Sequence, residues 1–155
     1  MSSRRLTAIA TLALATPAAL AAPAVADKAY HSQHLELAPV GDAPLRSGFV
    51  ENIKAQGPKV YAHEIFVLSG ARRGARYTVA RHFFPFDPDC SGQNGVFASD
   101  VATLETNAAG NATGDAFVRP SEVAGFEGVH GVLWNVRNAA GAVVYRTGCS
   151  TVTLD

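Results

Sequence analysis

From Gly48 onward, the chain consists of short apolar stretches separated by turns rich in Gly, Asn and Pro, and this regular spacing constrains the fold more than any other feature of the sequence. The stretches alternate with period two or are apolar on both faces, as strands are, and no window of twelve residues shows a helical stripe. Turn signals about every dozen residues predict an all-β fold, an antiparallel β-sandwich of about seven strands. The predicted strands are 49–53, 60–68, 75–84, 101–106, 112–118, 132–136 and 143–147, with 152–154 extending a last strand.

Two turns between these strands carry similar signals. Residues 107–111 read Asn-Ala-Ala-Gly-Asn and residues 138–141 read Asn-Ala-Ala-Gly, so both are rich in residues that tolerate positive φ. Each turn therefore predicts a β-hairpin between the strands that flank it. The cross-strand pairs predicted for the second hairpin are Trp134 with Tyr145 and Val136 with Val143.

The first 26 residues have the layout of a secretory signal peptide. Arg4 and Arg5 precede an apolar run, and small residues lead to Ala26, which is followed by Asp27. The run is too short and too rich in alanine to anchor the chain, and no later apolar run is long enough to span a membrane. We therefore expect cleavage after Ala26 and a secreted, extracellular chain, exported by the general or the twin-arginine route.

The mature chain is expected to begin with an irregular arm. Residues 27–44 hold Pro39, Gly41 and Pro44 and show no sustained period. The β-sandwich domain is then expected to occupy residues 45–155.

Cys90 and Cys149 are the only cysteines, and both follow the predicted signal peptide. An even count in an exported chain predicts one disulfide, because the compartment outside the membrane is oxidising. Two free thiols or half of a metal site are the alternatives, but no histidine flanks either cysteine. The chain has no Cys-x-x-Cys pair, so a structural bridge is favoured over a redox centre.

Residues 68–79, from Leu68 to a Tyr77-Thr78-Val79 strand, resemble the segment of immunoglobulin and fibronectin type III domains in which a leucine and a turn precede a tyrosine. That resemblance implies an immunoglobulin-like sandwich with the tyrosine hydroxyl at a corner between the sheets. Three further segments are similar to small exported bacterial proteins of uncharacterised function. They are 48–64, Phe86-Asp87-Pro88 before Cys90, and the ending 149–155. This likeness implies the fold and the export and transfers no activity.

The most apolar segment is Phe83-Phe84-Pro85-Phe86. Adjacent strand residues point to opposite faces, so Phe83 and Phe84 cannot both fill one core face. An aromatic side chain left outside the core would mark a surface for a ligand or partner. The predicted binding patch is therefore Arg81, Phe83, Phe84 and Phe86.

Two sets of residues are weak candidates for a metal site. Asp87, Asp89 and Ser91 alternate before Gly92, as oxygen ligands do at the start of a calcium-binding loop. The twelfth position of such a loop is Ala98 instead of a bidentate glutamate, which favours a solvated turn beside the disulfide. Zn²⁺ or Cu²⁺ would need three or four ligands, and the histidines show no such spacing. They are His31, His34, His63, His82 and His130.

Charge and motifs bound the function. The 155 residues carry 13 basic and 13 acidic side chains, and loss of Arg4 and Arg5 with the signal makes the mature chain slightly acidic. This balance excludes a nucleic-acid binder that works by bulk charge. No nucleophile elbow, zinc-protease motif, P-loop or dinucleotide fingerprint is present, so no catalytic residue and no cofactor is expected. The sequence favours a non-enzymatic extracellular module that binds a protein, a glycan or an envelope component. A metal-binding secreted protein and a small hydrolase with a His–carboxylate pair are the alternatives.

Overall fold

The computed structural model of the chain describes residues 30–55 and 61–154. The predicted signal peptide, residues 1–26, lies outside the described residues. The described residues form strands β1 (Tyr30–Glu36), β2 (Ala38–Pro39), β3 (Ser47–Ala55), β4 (Ala62–Ser69), β5 (Arg76–Phe84), β6 (Phe97–Glu105), β7 (Ala112–Val118), β8 (Gly128–Asn138), β9 (Val143–Arg146) and β10 (Ser150–Leu154), and one helix, α1 (Pro120–Val123). No helix in these two stretches has the length and apolar character needed to cross a membrane.

The strands form two antiparallel sheets, which confirms the predicted all-β sandwich. The first sheet has the order β1-β3-β4-β7. The second has the order β2-β9-β8-β5-β6, and β10 pairs with the first half of β8 beside β9. The long strand β8 can hold both β9 and β10 on one edge because its eleven residues leave room for two short partners in line.

The core lies between the inward faces of the two sheets, as is usual in sandwiches. In β4 the side chains alternate strictly between buried and half-buried, with Ala62, Glu64, Phe66 and Leu68 on the buried face. The sequence predicted this division of residues between two faces but, because both faces carry apolar side chains, it did not predict that one would be only half-buried. The buried apolar cluster comprises Leu37, Val50, Phe66, Leu68, Ala71, Tyr77, Val79, Leu104, Ala112, Val132, Trp134, Val136 and Tyr145.

The prediction of an irregular arm over residues 27–44 was wrong for residues 30–39. Strand β1 pairs along its whole length with β3, and β2 pairs with β9, so both short strands belong to the sheets. The sequence showed no apolar period here because β1 lies at the edge of its sheet and the two half-buried positions described in it are Gln33 and Leu35, of which only Leu35 is apolar. Among residues 32–39, whose burial the structure describes, Leu37 just after β1 is the one buried residue.

The turn at 107–111 was predicted correctly as a turn and wrongly as a hairpin. Strand β6 pairs with β5 in the second sheet, whereas β7 pairs with β4 in the first, so the turn carries the chain from one sheet to the other. The connection from β4 to β5 makes the opposite crossing beside it. The two crossings bind each other, since Ala71 N–H donates to the Gly110 carbonyl at 2.9 Å and Ala75 N–H donates to Thr106 Oγ1 at 2.8 Å.

The last predicted hairpin is present, with a different pairing. Val136 lies opposite Tyr145, and the pairing shifts by one residue before Arg137 and Val143. The predicted pairs were therefore wrong by two positions. Two displacements add up: the Asn138 N–H bond to the Ala142 carbonyl closes the turn over three residues, 139–141, instead of four, and the irregularity between Val136 and Arg137 displaces the pairing by one more residue.

Cys90 and Cys149 form the predicted disulfide, with their Cα atoms 5.9 Å apart across a sequence separation of 59 residues. The bridge ties the loop between β5 and β6 to the residue that precedes β10. This loop lies on the outer face of β8, because a Cβ on Gly131 would come within 2.7 Å of Cys90 Sγ. A glycine at position 131 is therefore needed for the close approach of the loop.

Tyr77, the tyrosine expected at a corner between the sheets, is buried in the core. Its hydroxyl lies 3.3 Å from the Tyr145 hydroxyl, and Tyr145 donates to the Pro44 carbonyl at 2.8 Å. A tyrosine pair thus joins the centre of the second sheet to the segment before β3.

Candidate functional site

At one end of the sandwich the two sheets separate and enclose a cavity of about 760 Å³. Strands of both sheets line it, and α1 with the segment after it lines one side. The exposure of Phe97 shows that the cavity is open to solvent at this end. Phe97 lies opposite Phe83 in the β5–β6 ladder and so shares the inward face with it, yet Phe97 is 59% exposed. We call the cavity the end cleft.

Three phenylalanines form one wall of the end cleft. Phe126 packs edge-on against Phe83 at 5.4 Å between ring centres and against Phe97 at 5.8 Å. Edge-to-face packing at these distances is the favourable arrangement for aromatic rings. The wall offers an apolar body of a ligand a preformed aromatic surface.

The opposite side of the cleft mouth is closed by bonds between the sheets. Gln33 Nε2 donates to the Thr151 carbonyl at 2.8 Å, and the Tyr61 hydroxyl donates to the Thr153 carbonyl at 3.2 Å. Lys54 Nζ also donates to the Thr153 carbonyl, at 3.3 Å, and lies over the Tyr61 ring. These bonds hold β10 against the first sheet while leaving the aromatic side accessible.

The floor of the end cleft carries a buried ion pair. Glu64 occupies an inward position of β4, and Arg81 lies opposite Trp134 on the inward face of the second sheet. Arg81 Nη1 donates to Glu64 Oε1 at 3.0 Å, and Arg81 Nη2 lies 3.7 Å from a carboxylate oxygen of Glu122. The side chains of Glu64 and Arg81 are only 2% and 17% exposed. A charged pair that spans the two sheets thus replaces apolar packing at this level of the core.

Burial raises the pKa of Glu64 above its ordinary value. The charge and hydrogen bond of Arg81 and the nearby Trp134 indole act to lower that pKa, but they do not offset the burial. A buried carboxyl group with a raised pKa and a specific charged partner, placed in a cleft, is typical of functional sites.

Several polar atoms at the floor have no hydrogen-bond partner among the described residues. Glu64 Oε2, Trp134 Nε1 and Asn52 Oδ1 are all buried and all belong to side chains that line the end cleft. Buried polar atoms in proteins are nearly always hydrogen-bonded, so an unsatisfied group calls for an explanation. Here the atoms are two acceptors and one donor, in side chains that line the cleft.

The sequence missed Glu64 as a site residue, although a signal was present. The predicted alternation of β4 puts Glu64 on the same face as Phe66 and Leu68, and a charged residue in an apolar row of a central strand is unusual. Nothing in the sequence showed that Arg81 would face it from the other sheet.

The structure separates the predicted binding patch. Arg81 and Phe83 line the end cleft. Phe84 is buried on the outer face of the second sheet, opposite Gly131, where the disulfide loop lies. Phe86 is 56% exposed and packs on His130, with 4.8 Å between ring centres. The structure therefore brings only Arg81 and Phe83 of the predicted patch to the cleft, while Phe84 is covered and Phe86 packs on His130 outside the described lining of the cleft.

Asp87 organises the turn at the disulfide. Its carboxylate accepts from Ser91 N at 3.2 Å, from Ser91 Oγ at 3.0 Å and from Gly92 N at 2.7 Å. Burial acts to raise the pKa of Asp87, but these donors outweigh it and hold the pKa below its ordinary value. Asp89 is exposed. In residues 30–55 and 61–154 no group of three or more His, Cys, Asp or Glu side chains is placed to hold a metal ion.

His130 is fully buried beside the aromatic wall, 4.9 Å from the Phe83 ring. Its Nδ1 accepts the Phe86 N–H at 2.9 Å, which makes Nε2 the protonated nitrogen of the neutral ring. Burial lowers the pKa of His130 below its ordinary value. The described lining of the cleft includes the acids Glu64 and Glu122 but no histidine, so it does not contain the His–carboxylate pair of the hydrolase alternative.

Comparison with known proteins adds no relative from which a role can be transferred. The chain matches no protein-family model, no curated protein and no solved structure. What the end cleft does is therefore argued from its own residues.

Proposed function

We propose that this protein is a secreted, non-enzymatic binding module that takes a small molecule into the end cleft of its β-sandwich. The observation that supports this most directly is the pair of fully buried side chains, Glu64 and Trp134, whose Oε2 and Nε1 atoms lack partners at the floor of a cavity of about 760 Å³. Ligand sites are typically cavities of about 300–1,000 Å³ with apolar walls and a few placed polar groups.

Export and family remain parts of the same proposal. The disulfide is consistent with an oxidising compartment, and cleavage after Ala26 is tested by the mass of the mature protein. The immunoglobulin or fibronectin type III likeness is supported by the two antiparallel sheets, an architecture that many sandwich families share.

Trp134 provides a direct test, because it is the only tryptophan of the chain and lines the cleft. The uncharged fluorophore N-phenylnaphthylamine should bind one molecule per chain and receive energy transfer from Trp134. Ser99 lies opposite Arg81 in the β5–β6 ladder, so Ser99→Phe places a ring over the cleft. We expect this variant to weaken binding at least about tenfold.

The matched control is Thr103→Phe, on the same strand but opposite Thr78, where it points to the outer face. It should bind the fluorophore as the wild type does. Equal binding by the Ser99 variant, or binding without energy transfer from Trp134, would place the fluorophore elsewhere and overturn the proposal. No binding at all would overturn it as well.

A further inference from the structure

The floor of the end cleft offers an acceptor and a donor close together. Glu64 Oε1 accepts from Arg81, whereas Glu64 Oε2 has no hydrogen-bond partner among the described residues. The Trp134 indole N–H lies beside the same carboxyl group and acts as a weak donor that lowers its pKa, but it makes no hydrogen bond of ordinary geometry. A ligand group that donates to Glu64 Oε2 and accepts from Trp134 Nε1 would satisfy both atoms at once.

The charges of the cleft leave no counter-charge for an ionic ligand. The described lining contains two acids, Glu64 and Glu122, and two bases, Arg81 and Lys54, so its formal charge is zero. Arg81 contacts both acids, and Lys54 donates to a backbone carbonyl at the rim. A carboxylate at the floor would lie beside two acids that already share Arg81, and an ammonium group would give up its hydration for a carboxylate that Arg81 already pairs, so both are unfavourable.

From these observations we infer that the end cleft binds an uncharged, largely apolar molecule whose head group both donates and accepts a hydrogen bond, as an alcohol or a carboxamide does. This inference rests on the proposed function. The head group lies between Glu64 and Trp134, and the apolar body lies along Phe83, Phe97 and Phe126. A molecule of this kind matches the polar floor and the aromatic wall together.

A series of naphthalene probes with one varied head group tests the inference on the wild-type protein. The heads are hydroxymethyl, carboxamide, methyl, acetyl, carboxylate and methylammonium, and binding is measured by calorimetry and by displacement of N-phenylnaphthylamine. Two hydrogen bonds in a buried site should make the alcohol and the carboxamide bind at least about tenfold tighter than the methyl compound. The carboxylate and the ammonium compounds should bind weakest.

The variant Glu64→Gln separates a direct contact from a structural role. It presents an N–H donor in addition to an oxygen, so the acetyl head, which only accepts, should gain relative to the hydroxymethyl head. In the wild type we expect the alcohol to bind about tenfold tighter than the ketone, and in the variant this ratio should fall to about one or reverse. The control Glu105→Gln changes an exposed acid at a distant strand end and should leave the ratio unchanged.

The outcomes distinguish the two levels of the proposal. Suppose that Ser99→Phe weakens the binding of N-phenylnaphthylamine but that all naphthalene probes bind the wild type with equal affinity. The head-group inference is then wrong, and the cleft remains a binding site. Tighter binding of the carboxylate or the ammonium compound also overturns the inference. If neither the fluorophore nor any naphthalene binds, the proposed function fails with it. The wild-type order is decisive even if Glu64→Gln does not fold.

Discussion

Replacing Arg81 with methionine should destabilise the protein strongly. The change keeps an unbranched side chain but removes the positive charge from Glu64, which is 2% exposed and receives a hydrogen bond of 3.0 Å from Arg81. Breaking a buried ion pair by removing one partner costs about 3–5 kcal/mol, because the remaining charge is buried without compensation. Domains are stable by only about 5–15 kcal/mol, so Arg81→Met should lower the unfolding midpoint severely.

The pH dependence of stability gives a second, independent test of the charge on Glu64. Burial already raises the pKa of Glu64 above that of the unfolded chain, and loss of Arg81 raises it further. A raised carboxyl pKa stabilises the fold at pH values below the unfolded pKa of about 4.5, and this stabilisation is lost as the pH rises through the folded pKa. The stability deficit of Arg81→Met should therefore be small near pH 4 and large near pH 8.

A double variant tests whether the pair itself stabilises the fold. Glu64→Leu combined with Arg81→Met replaces both charges by apolar side chains, which for buried pairs is often neutral or stabilising by about 1–4 kcal/mol. The double variant should then be at least as stable as the wild type while losing the head-group preference of the cleft. Recovery of stability with loss of that preference is the result expected if the pair is retained for binding.

The assay is urea unfolding of the oxidised protein at several pH values, followed by circular dichroism. The matched control is Arg76→Met, because Arg76 lies 3.7 Å from Glu105 and both side chains are mostly exposed. An exposed pair of this kind contributes about 0–1 kcal/mol. If the free energy of unfolding of Arg81→Met lies within about 1 kcal/mol of that of this control, the reasoning about the buried pair is refuted. It is also refuted if the loss of stability in Arg81→Met does not change with pH.

Three further predictions concern the rest of the fold. Burial lowers the pKa of His130, so wild-type stability should fall as the pH drops below about 6.5, and His130→Gln should flatten the difference between about pH 7 and pH 5; an unchanged slope would contradict this. Gly110→Ala should cost clearly more than the roughly 1–2 kcal/mol expected for Gly141→Ala, because both glycines have positive φ but only a Cβ at position 110 would clash with backbone; equal losses in urea unfolding would be inconsistent with the crossing. Reduction of Cys90–Cys149 should remove up to about 4 kcal/mol and add about two mass units, whereas iodoacetamide labelling of the unreduced, unfolded chain would disprove the bridge.

Much of the local structure followed from the amino-acid pattern. The alternation in β4 grouped Glu64, Phe66 and Leu68 on one face without showing that this face is the more buried, and the even cysteine count after a predicted export signal indicated the disulfide. The edge strands β1 and β2 did not follow, because an edge strand buries few side chains and needs no apolar period. Backbone pairing with β3 and β9 holds these two strands in the sheets instead.

The end cleft was not predictable from the pattern. Its lining comes from strands of both sheets and from the segment after α1, and no local signal records how these meet. Phe97 and Arg81 were visible as residues, but their shared position at an open end depends on the pairing of β5 with β6 and β8. The contact of Arg81 with Glu64 joins the two sheets, and the sequence does not show which residues face each other across that space.

The two Asn-Ala-Ala-Gly turns separate what the sequence determines from what the tertiary structure determines. In both, the asparagine carbonyl accepts from the glycine N–H, and the asparagine side chain accepts two backbone N–H bonds, so the sequence alone determines the local geometry. Yet the turn at 138–142 closes a hairpin, whereas the turn at 107–111 crosses between the sheets. That choice belongs to the tertiary structure, because the partners of β6 and β7 are β5 and β4, which lie in different sheets.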